Sequence, residues 1–253
     1  MISVENISKQ YNDTLVVDGV SLQLPKGKLI SLIGSNAAGK STLLGIISRI
    51  IDPNGGAIIV NDRNIADYRS RALAQRLSIL KQTNRLSLKL TVRELVAFGR
   101  FPYSQGRLNA LDREKIEEAM AFMELGDLKD RFVDELSGGQ QQRAFLGMVA
   151  AQDTDYILLD EPLNNLDIKH SVQIMGTLRA LCEEKGKTIV TVIHDINFAS
   201  QYSDYIAAMK GGRLIHFGTT REIMDPKKLR EIYDMDFEIF EKNNKCFCTY
   251  YNN

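Results

Sequence analysis

One eight-residue segment constrains this chain more than any other. Residues 34–41 are Gly-Ser-Asn-Ala-Ala-Gly-Lys-Ser, which matches the pattern G-x-x-x-x-G-K-[ST] that turns backbone N–H groups toward phosphate oxygens. The apolar run Leu29–Ile33 before it predicts a strand, and Thr42–Ile51 after it predicts a helix. Because the N-terminus of a helix attracts anions, this order of elements predicts a phosphate site.

Two side chains of this loop have chemistry of their own. Lys40 is expected to place its charge at the β- and γ-phosphates of a nucleotide, and the Ser41 hydroxyl is expected to ligate Mg²⁺. The residues expected to bind ATP in this segment are Gly34, Ser35, Asn36, Ala37, Ala38, Gly39, Lys40, Ser41 and Thr42.

A second motif is a pair of carboxylates at the end of an apolar run. Tyr156–Asp160 predicts a buried strand, and Glu161 follows it directly. Asp160 is suited to hold a Mg²⁺-bound water, and Glu161 to polarise the water that attacks a γ-phosphate. The alternative is a strand followed by an acidic surface turn. The phosphate loop upstream favours the catalytic interpretation.

A third motif, Leu136–Gln140, reads Leu-Ser-Gly-Gly-Gln and opens a predicted helix near Gln140. It predicts a second anion-binding helix start, and the alternative is an N-cap serine in a flexible turn. Two phosphate-binding starts for one nucleotide are redundant within one subunit. They make sense when a second copy presents its Leu136–Gln140 loop to the first copy's ATP, which predicts a head-to-tail pair with two composite sites.

Composition narrows the classes of function. The chain has 253 residues with 32 Lys and Arg against 32 Asp and Glu, and this balance predicts no nucleic-acid binding, which usually leaves a basic excess. The three cysteines, Cys182, Cys246 and Cys248, are typical of reduced cytosolic thiols. No apolar run approaches the roughly 20 residues that span a bilayer, so work at a membrane is expected on its cytoplasmic face, through partners.

The order of these motifs, together with Gln82, Asn164–Asp167 and His194, resembles that of the ATP-binding subunits of ABC transporters over nearly the whole chain. The resemblance implies an α/β P-loop NTPase of the ABC ATPase fold, in which a RecA-like core carries an antiparallel β subdomain and a helical subdomain. It also implies a single ABC ATPase domain, 1–253, with the core and β subdomain at 1–87 and 152–253 and the helical subdomain at about 88–151.

The resemblance also implies roles for single residues. Tyr11 would stack on adenine, although a packed tyrosine at a strand end is the alternative. Gln82 would contact Mg²⁺ or the attacking water, and His194 would contact the γ-phosphate. The implied catalytic set is Glu161, His194, Lys40 and Gln82; the metal set is Ser41, Gln82 and Asp160; and the residues that bind ATP in trans are Ser137, Gly138, Gly139, Gln140 and Asp167. His170 and His216 lack such support and are expected to be surface residues.

Two departures from the family pattern concern backbone and loop rather than reacting groups. Ala37 stands where the family more often has glycine, so a positive φ there would cost on the order of 1 kcal/mol. Leu163-Asn164-Asn165 replaces the commoner threonine-serine type of sequence after Glu161-Pro162.

A finer resemblance concerns Leu90–Tyr103, Ala151–Tyr156 and Asp167–Ser171, which are similar to ATPases of iron–siderophore, haem and vitamin B12 importers. It implies an ATPase homodimer, two permease subunits and an extracytoplasmic substrate-binding protein, with a ferric siderophore ahead of haem or cobalamin as cargo. Segment Gln82–Tyr103 is expected to contact the permease. The rival functions are a soluble ABC ATPase of DNA repair or translation and a non-hydrolysing regulatory nucleotide binder.

Periodicity predicts the remaining elements. An antiparallel layer is expected from Ile2–Ile7, Leu15–Leu22 and Ala57–Val60, and a stripe of Ile168, Val172, Met175, Leu178 and Leu181 is expected to pack in the core. At the C-terminus, Pro226–Met235 predicts a helix and Phe237–Tyr251 a hairpin turning at Asn243-Asn244, to which we assign packing or no role.

Overall fold

The computed structural model describes residues 1–82, 89–243 and 245–250. The chain forms two compact units, one of Met1–Tyr68 with Leu178–Asn253 and the other of Arg69–Thr177. The predicted helical subdomain at about 88–151 falls within the sequence range of the second unit, and its boundaries stay a prediction. Asn244 and Tyr251, which belong to the predicted C-terminal hairpin, lie outside the described residues.

The elements alternate between strands and helices for most of the chain. Up to residue 104 they are β1 (Ile2–Tyr11), β2 (Thr14–Leu24), β3 (Leu29–Ile33), α1 (Lys40–Ile47), β4 (Gly55–Val60), β5 (Arg63–Asn64), α2 (Ser70–Ala74), β6 (Leu77–Leu80), α3 (Val92–Phe98) and α4 (Phe101–Ser104). They continue with α5 (Ala110–Phe122), α6 (Gly138–Gln152), β7 (Tyr156–Asp160), α7 (Ile168–Lys185), β8 (Thr188–Val192), α8 (Ile196–Tyr202), β9 (Tyr205–Lys210), β10 (Arg213–Thr219), α9 (Thr220–Ile223), α10 (Pro226–Tyr233), β11 (Glu238–Lys242) and β12 (Lys245–Thr249).

The N-terminal strands form the predicted antiparallel layer, with the order β2-β1-β4-β5. Their apolar side chains alternate, so that Ile2, Val4 and Ile7 of β1 are buried while the residues between them are more exposed. The register shifts between Val4 and Ile7. There Asn6 takes φ +50°, and its N–H donates to Ser21 Oγ at 2.8 Å. β1 continues to Tyr11 and β2 begins at Thr14, so a tight turn joins two strands that are longer than predicted.

The site of the first unit is positioned by parallel strands. β3 pairs in parallel with β8 on one side and β9 on the other, and β10 adds an antiparallel edge to β9. Every residue of β3 and β8 is buried, as expected for strands covered on both faces. Leu32 pairs with Val192, so the phosphate loop after β3 and His194 after β8 leave the sheet at the same edge. Ligands of open α/β sheets bind at this edge.

The second unit contains a parallel strand pair and a helical layer. β6 pairs with β7 from Leu77↔Tyr156 to Leu80↔Leu159, so Gln82 and Glu161 follow neighbouring strand ends. In the helical layer, Gly147 of α6 lies close to Val96 and Leu125, because a Cβ at this glycine would be 3.1 and 2.9 Å from their side chains. Close packing at Gly147 therefore lets α6 approach α3.

Helix ends differ from the predicted ones where local backbone decides them. α1 begins at Lys40, not Thr42, because Gly39 forms its N-cap with φ +93°, and Arg49 just beyond its end adopts φ +59°. α5 begins at Ala110 because Asn109 and Asp112 form a capping box. None of the helices in the described part of the chain is long and apolar enough to cross a membrane.

The predicted core stripe of α7 is wrong in its first half. Met175, Leu178 and Leu181 are buried, but Ile168 is 79% exposed and Val172 is 45% exposed. The amphipathic spacing is regular along the helix, yet the first turns lie beyond the packed layer. The periodicity of a sequence indicates which face of a helix is apolar. It does not indicate how much of that face is buried by neighbouring elements.

Candidate functional site

The phosphate loop of the first unit folds around its own lysine. Lys40 is 5% exposed, and its Nζ donates to the backbone oxygens of Gly34 and Ser35 at 2.8 Å each. Ser35, Asn36, Ala37 and Ser41 are exposed and Thr42 is partly so, whereas Ala38 and Gly39 are buried. The helix that follows begins without a side-chain cap, and the start of a helix is where anions bind.

Close backbone contacts require glycine at both ends of this loop. Gly34 has φ +139°, and a Cβ there would lie 2.0 Å from the Met209 carbonyl oxygen. Gly39 has φ +93°, and a Cβ there would lie 2.4 Å from the Val16 carbonyl oxygen. Any side chain at these positions would push the loop away from β9 or β2. The two glycines of the motif are therefore fixed by packing as well as by the turn.

Ala37 takes the left-handed conformation, with φ +60°. Because φ is positive here, the expected backbone strain is present, and it costs an L residue with a Cβ about 1–2 kcal/mol. The alanine is exposed, so its methyl group gains little packing in return.

In the second unit, the structure brings Gln82 and Glu161 together. Gln82 Nε2 donates to Glu161 Oε2 at 2.7 Å, and Asn164 Nδ2 donates to the same carboxylate oxygen. Glu161 itself has φ +52°, a strained conformation that is found disproportionately at functional sites. Two side-chain amides thus hold the carboxylate of Glu161, which directly follows β7. Asp160, the last residue of β7, is partly exposed.

Asn164 was missed by sequence reasoning as a partner of Glu161. The departure Leu163-Asn164-Asn165 supplies this amide donor, three residues after the carboxylate that it binds. The signal in the sequence was the unusual asparagine itself, but a turn that returns its side chain to Glu161 cannot be read from spacing alone.

The Leu136–Gln140 motif is a capped, outward-facing helix start. Ser137 is the N-cap of α6, its Oγ accepts from Gln140 N–H at 3.4 Å, and Gln140 Oε1 accepts from Ser137 N–H at 3.0 Å. Ser137 and Gly138 are exposed. The helix begins two residues earlier than predicted, so the glycines form its first turn. Their small size keeps this helix start open to approach from outside.

Asp167 is bound to His170, and His170 packs against the same motif. Asp167 Oδ1 accepts from the His170 backbone N–H and meets His170 Nδ1, both at 2.8 Å. A Cβ on Gly139 would lie 2.4 Å from the His170 ring. His170 is a partly exposed surface residue, as expected, and it also contacts this motif through Gly139. His216 is also partly buried, with Nε2 at 2.7 Å from Glu231.

Two predicted residues stand at exposed positions in the first unit. Tyr11 ends β1, is 45% exposed, and has the Lys9 ammonium 5.1 Å from its ring centroid. An exposed ring just before a turn suits stacking, as the resemblance implies. His194 is exposed between β8 and α8, and the following Asp195 caps that helix by accepting from the N–H groups of Asn197 and Phe198.

Phosphate loop, carboxylate pair and sheet order together define a P-loop nucleotide-binding protein. Comparison with known proteins narrows the class. The sequence model of the family described as ABC transporter matches residues 17–164. The petrobactin import ATP-binding protein YclP of Bacillus subtilis (strain 168) is 53% identical over 252 residues, which cover 100% of both chains.

A second relative and a solved structure agree with this match. The petrobactin import ATP-binding protein FatE of Bacillus anthracis is 48% identical and covers 95% of this chain and 96% of its own. The dimeric structure of MJ0796, a bacterial ABC transporter cassette, is similar at a TM-score of 0.77 and 30% identity, over 87% of this chain and 99% of that one. The chain belongs to the ABC transporter family as an ATP-binding subunit, and its fold is that of the ABC ATPases.

The left-handed conformation of Ala37 leads to a stability prediction. Ala37→Gly should raise the free energy of unfolding by about 0.5–1 kcal/mol, because removing the Cβ relieves more strain than the added chain entropy costs. The matched control is Ala66→Gly, at an exposed alanine that is not among the positive-φ residues of the described chain; this change should lower stability. Thermal unfolding measures both variants, and a fall for both would contradict the strain at position 37.

Proposed function

We propose that this protein hydrolyses ATP to energise an importer of ferric siderophores, acting as one of two ATPase subunits beneath two permease subunits. The observation that carries the proposal is the Glu161 carboxylate, held by Gln82 and Asn164 directly after a buried parallel strand. A fixed carboxylate at this point is suited to orient and polarise an attacking water. The full set of Lys40, Asp160, Glu161 and His194 argues against a non-hydrolysing regulatory binder.

Each proposed catalytic group has one task. Lys40 balances charge on the β- and γ-phosphates, Glu161 orients the water, and His194 steadies the γ-phosphate. Gln82 contacts Mg²⁺ or the water and is thereby linked to the state of the γ-phosphate. Phosphoryl transfer depends on positioning and electrostatics rather than on covalent chemistry by the protein. The Tyr11 ring, exposed at the end of β1, supports the adenine.

The residues present also fit Mg²⁺. Ser41 is exposed in the first turn of α1, and Asp160 and Gln82 follow neighbouring strand ends of the second unit. Hydroxyl, carboxylate and amide oxygens are the hard ligands that Mg²⁺ prefers, so we propose that Ser41, Gln82 and Asp160 hold it. When bound, the ion supplies neutralisation of charge on the phosphate oxygens.

The second copy is proposed to complete the site in trans. Ser137 and Gly138 are exposed at the start of α6, and Asp167 lies on the exposed loop that leads into α7. Ile168 and Val172, exposed at the start of α7, provide apolar surface next to that loop. We propose that Ser137, Gly138, Gly139, Gln140 and Asp167 meet the nucleotide of the partner copy. A dimeric relative, MJ0796, supports pairing of this kind.

Glu161→Gln tests the catalytic role and the pairing together. The variant should still bind ATP, lose turnover by about 10²–10⁴-fold because the general base is gone, and accumulate as a dimer in ATP. Phosphate release and size-exclusion chromatography measure the two effects. Thr177→Ala, which alters an exposed residue of α7 bonded only to its own helix, is the control. A Glu161→Gln protein that stays monomeric in saturating ATP would count against the sandwich.

An apolar groove of about 310 Å³ in the second unit is the proposed contact with the permease. It is lined mainly by apolar side chains, including Leu90, Phe98, Phe101 and Leu108. Phe101 is 57% exposed at the groove. The groove follows Gln82 in sequence and is large enough to accept apolar side chains of a partner's cytoplasmic helix. The sequence prediction that Gln82–Tyr103 faces the permease is in keeping with it.

The turn that exposes Phe101 is held by buried polar contacts of its neighbours. Arg100 and Asp112 form an ion pair of 3.0 Å, with side chains only 4% and 1% exposed. The Arg100 guanidinium also lies 3.9 Å from the centroid of the Tyr103 ring. Arg71 donates to the backbone oxygens of Pro102 and Tyr103 at 2.8 Å each. Tyr103 is therefore part of the support, and Phe101 is the side chain offered to a partner.

Phe101→Ala should uncouple the two activities. Transport by the assembled importer should fall about tenfold or more, because an exposed aromatic anchor is lost, while ATP hydrolysis by the isolated subunit stays within twofold. Leu111→Ala, at another exposed apolar residue, is the control. Uptake in reconstituted vesicles and phosphate release are the measurements. An equal fall in both activities would refute the coupling role.

The cargo is proposed from relatives, since no residue here is expected to touch it. Both petrobactin import relatives cover nearly the whole chain, at 53% and 48% identity. An extracytoplasmic substrate-binding protein is proposed to deliver the ferric siderophore to the permease. The subunit itself is proposed to lie on the cytoplasmic face of the membrane. Haem or cobalamin import is the alternative, and a soluble ABC ATPase of another process is a weaker one.

An uptake experiment separates the cargo alternatives. Cells that lack this chain should lose uptake of labelled ferric petrobactin and keep uptake of haem and cobalamin, because each importer has its own ATPase. Reintroducing the wild-type chain should restore uptake, and the Glu161→Gln chain should not. Loss of cobalamin or haem uptake alone would overturn the siderophore assignment.

A further inference from the structure

The last two dozen described residues contact two elements that position the proposed phosphate-binding residues of the first unit, the helix that follows His194 and the strand that lies behind Gly34. Helix α10 ends at Tyr233, and the hairpin β11–β12 follows it. β11 and β12 pair with one another and form a two-stranded sheet of their own among the described strands. A two-stranded hairpin is marginally stable by itself, so what it packs against determines both its stability and its role.

β12 holds helix α8, which begins two residues after His194. Cys248 N–H donates to Asn197 Oδ1 at 2.8 Å, and Asn197 Nδ2 donates back to the Cys248 carbonyl at 3.1 Å. Gln201 Nε2 donates to the Cys246 carbonyl at 2.6 Å. Lys245 Nζ donates to the Gln201 carbonyl at 2.7 Å. These bonds fix two turns of α8 to one strand.

The start of α8 faces the same cluster. Asp195 caps the helix. Burial, together with the negative charge of Asp195, raises the pKa of the Cys248 thiol to about 11. His194, Asp195 and the β12 segment therefore belong to one tightly connected region.

The end of α10 contacts the strand behind the phosphate loop. Lys210, the last residue of β9, donates through its Nζ to the Glu231 carbonyl at 2.7 Å. Met209, which precedes Lys210 in β9, has its carbonyl behind Gly34. Helix α10 therefore braces the strand on which the loop rests.

The Tyr233 ring packs at this end of α10. It is 5.6 Å from the Phe237 ring, which is 5.4 Å from the Tyr250 ring. Its hydroxyl is buried and makes no hydrogen bond of good geometry among the described residues, and this burial raises the pKa of Tyr233.

We infer that residues 226–250 form a positioning element for the ATP site, with Asn197–Cys248 setting the place of His194 and the end of α10 at Tyr233 bracing β9 behind Gly34. The inference rests on the proposed ATPase function and gives the C-terminal segment a role in it, where the sequence suggested packing or none. Neither Asn197 nor Tyr233 touches the nucleotide. Both act through the residues that do, by limiting how far those residues can move.

Asn197→Ala is the first test, made in the full-length chain. Loss of both bonds to Cys248 should lower kcat for ATP about 5–10-fold, because His194 is no longer held at the γ-phosphate. Affinity for a slowly hydrolysed ATP analogue should fall by a similar factor, while affinity for ADP, which lacks that phosphate, stays within twofold. Phe240→Ala is the matched control, since Phe240 stacks on Phe247 on the exposed face of the hairpin. It should leave all three values unchanged.

Tyr233 provides a second, independent test. Tyr233→Phe keeps the ring and removes a hydroxyl that has no good partner, so kcat and the affinities should stay close to wild type. Tyr233→Leu removes the ring that packs at the end of α10 and so loosens the brace on β9 behind Gly34, which should weaken ATP and ADP binding alike, by about 5–10-fold. This pair decides the question if Asn197→Ala does not fold.

Three results would overturn the inference. They are equal loss of ATP and ADP affinity in Asn197→Ala, equal effects of Asn197→Ala and Phe240→Ala, or equal activity of Tyr233→Leu and Tyr233→Phe. Failure of the proposed function is recognised separately, because it requires that the wild-type protein release no phosphate from ATP.

Discussion

The conformation of the phosphate loop depends on close contacts between its two glycines and the backbone of neighbouring strands. The carbonyl of Met209, at the end of β9, lies behind Gly34, and the carbonyl of Val16, in β2, lies behind Gly39. The rear of the loop is closed by these strands, and Ser35, Asn36 and Ala37 are exposed on its other side. Lys40 keeps the loop rounded by binding two of its carbonyls. A side chain at either glycine would displace both the loop and the strand behind it. The packing of the sheet and the shape of the site therefore depend on each other.

The carboxylate centre of the second unit follows a different principle. Glu161 is not buried under close backbone contacts but is held by directed hydrogen bonds from Gln82 and Asn164, in a left-handed conformation that costs on the order of 1–3 kcal/mol. A group held by side chains can be released by small changes in them. The orientation of Glu161 therefore depends on where the side chain of Gln82 lies.

Much of this architecture could be predicted from the sequence, because short motifs fix local backbone. The glycine pattern at 34–41 specified a strand, a loop and a helix, and the apolar run 156–160 specified a buried strand. Prediction failed where distant groups decide the outcome. The exposure of Ile168 depends on where the packed layer ends, and the bond from Asn164 depends on a turn that doubles back. The contact of His170 with Gly139 depends on two helix starts that meet in space. The C-terminal segment shows the same limit, since the bonds between Asn197 and Cys248 join residues that are 51 positions apart.

The capping box at Ser137 has a consequence for recognition. The N–H groups of Ser137 and Gln140 are already satisfied by neutral oxygens of each other's side chains. A ligand that binds these two N–H groups must displace the side-chain oxygens. A charged phosphate oxygen makes a stronger hydrogen bond than a neutral oxygen does, so it gains more from this exchange. The capping box therefore favours phosphate over neutral groups at these two positions.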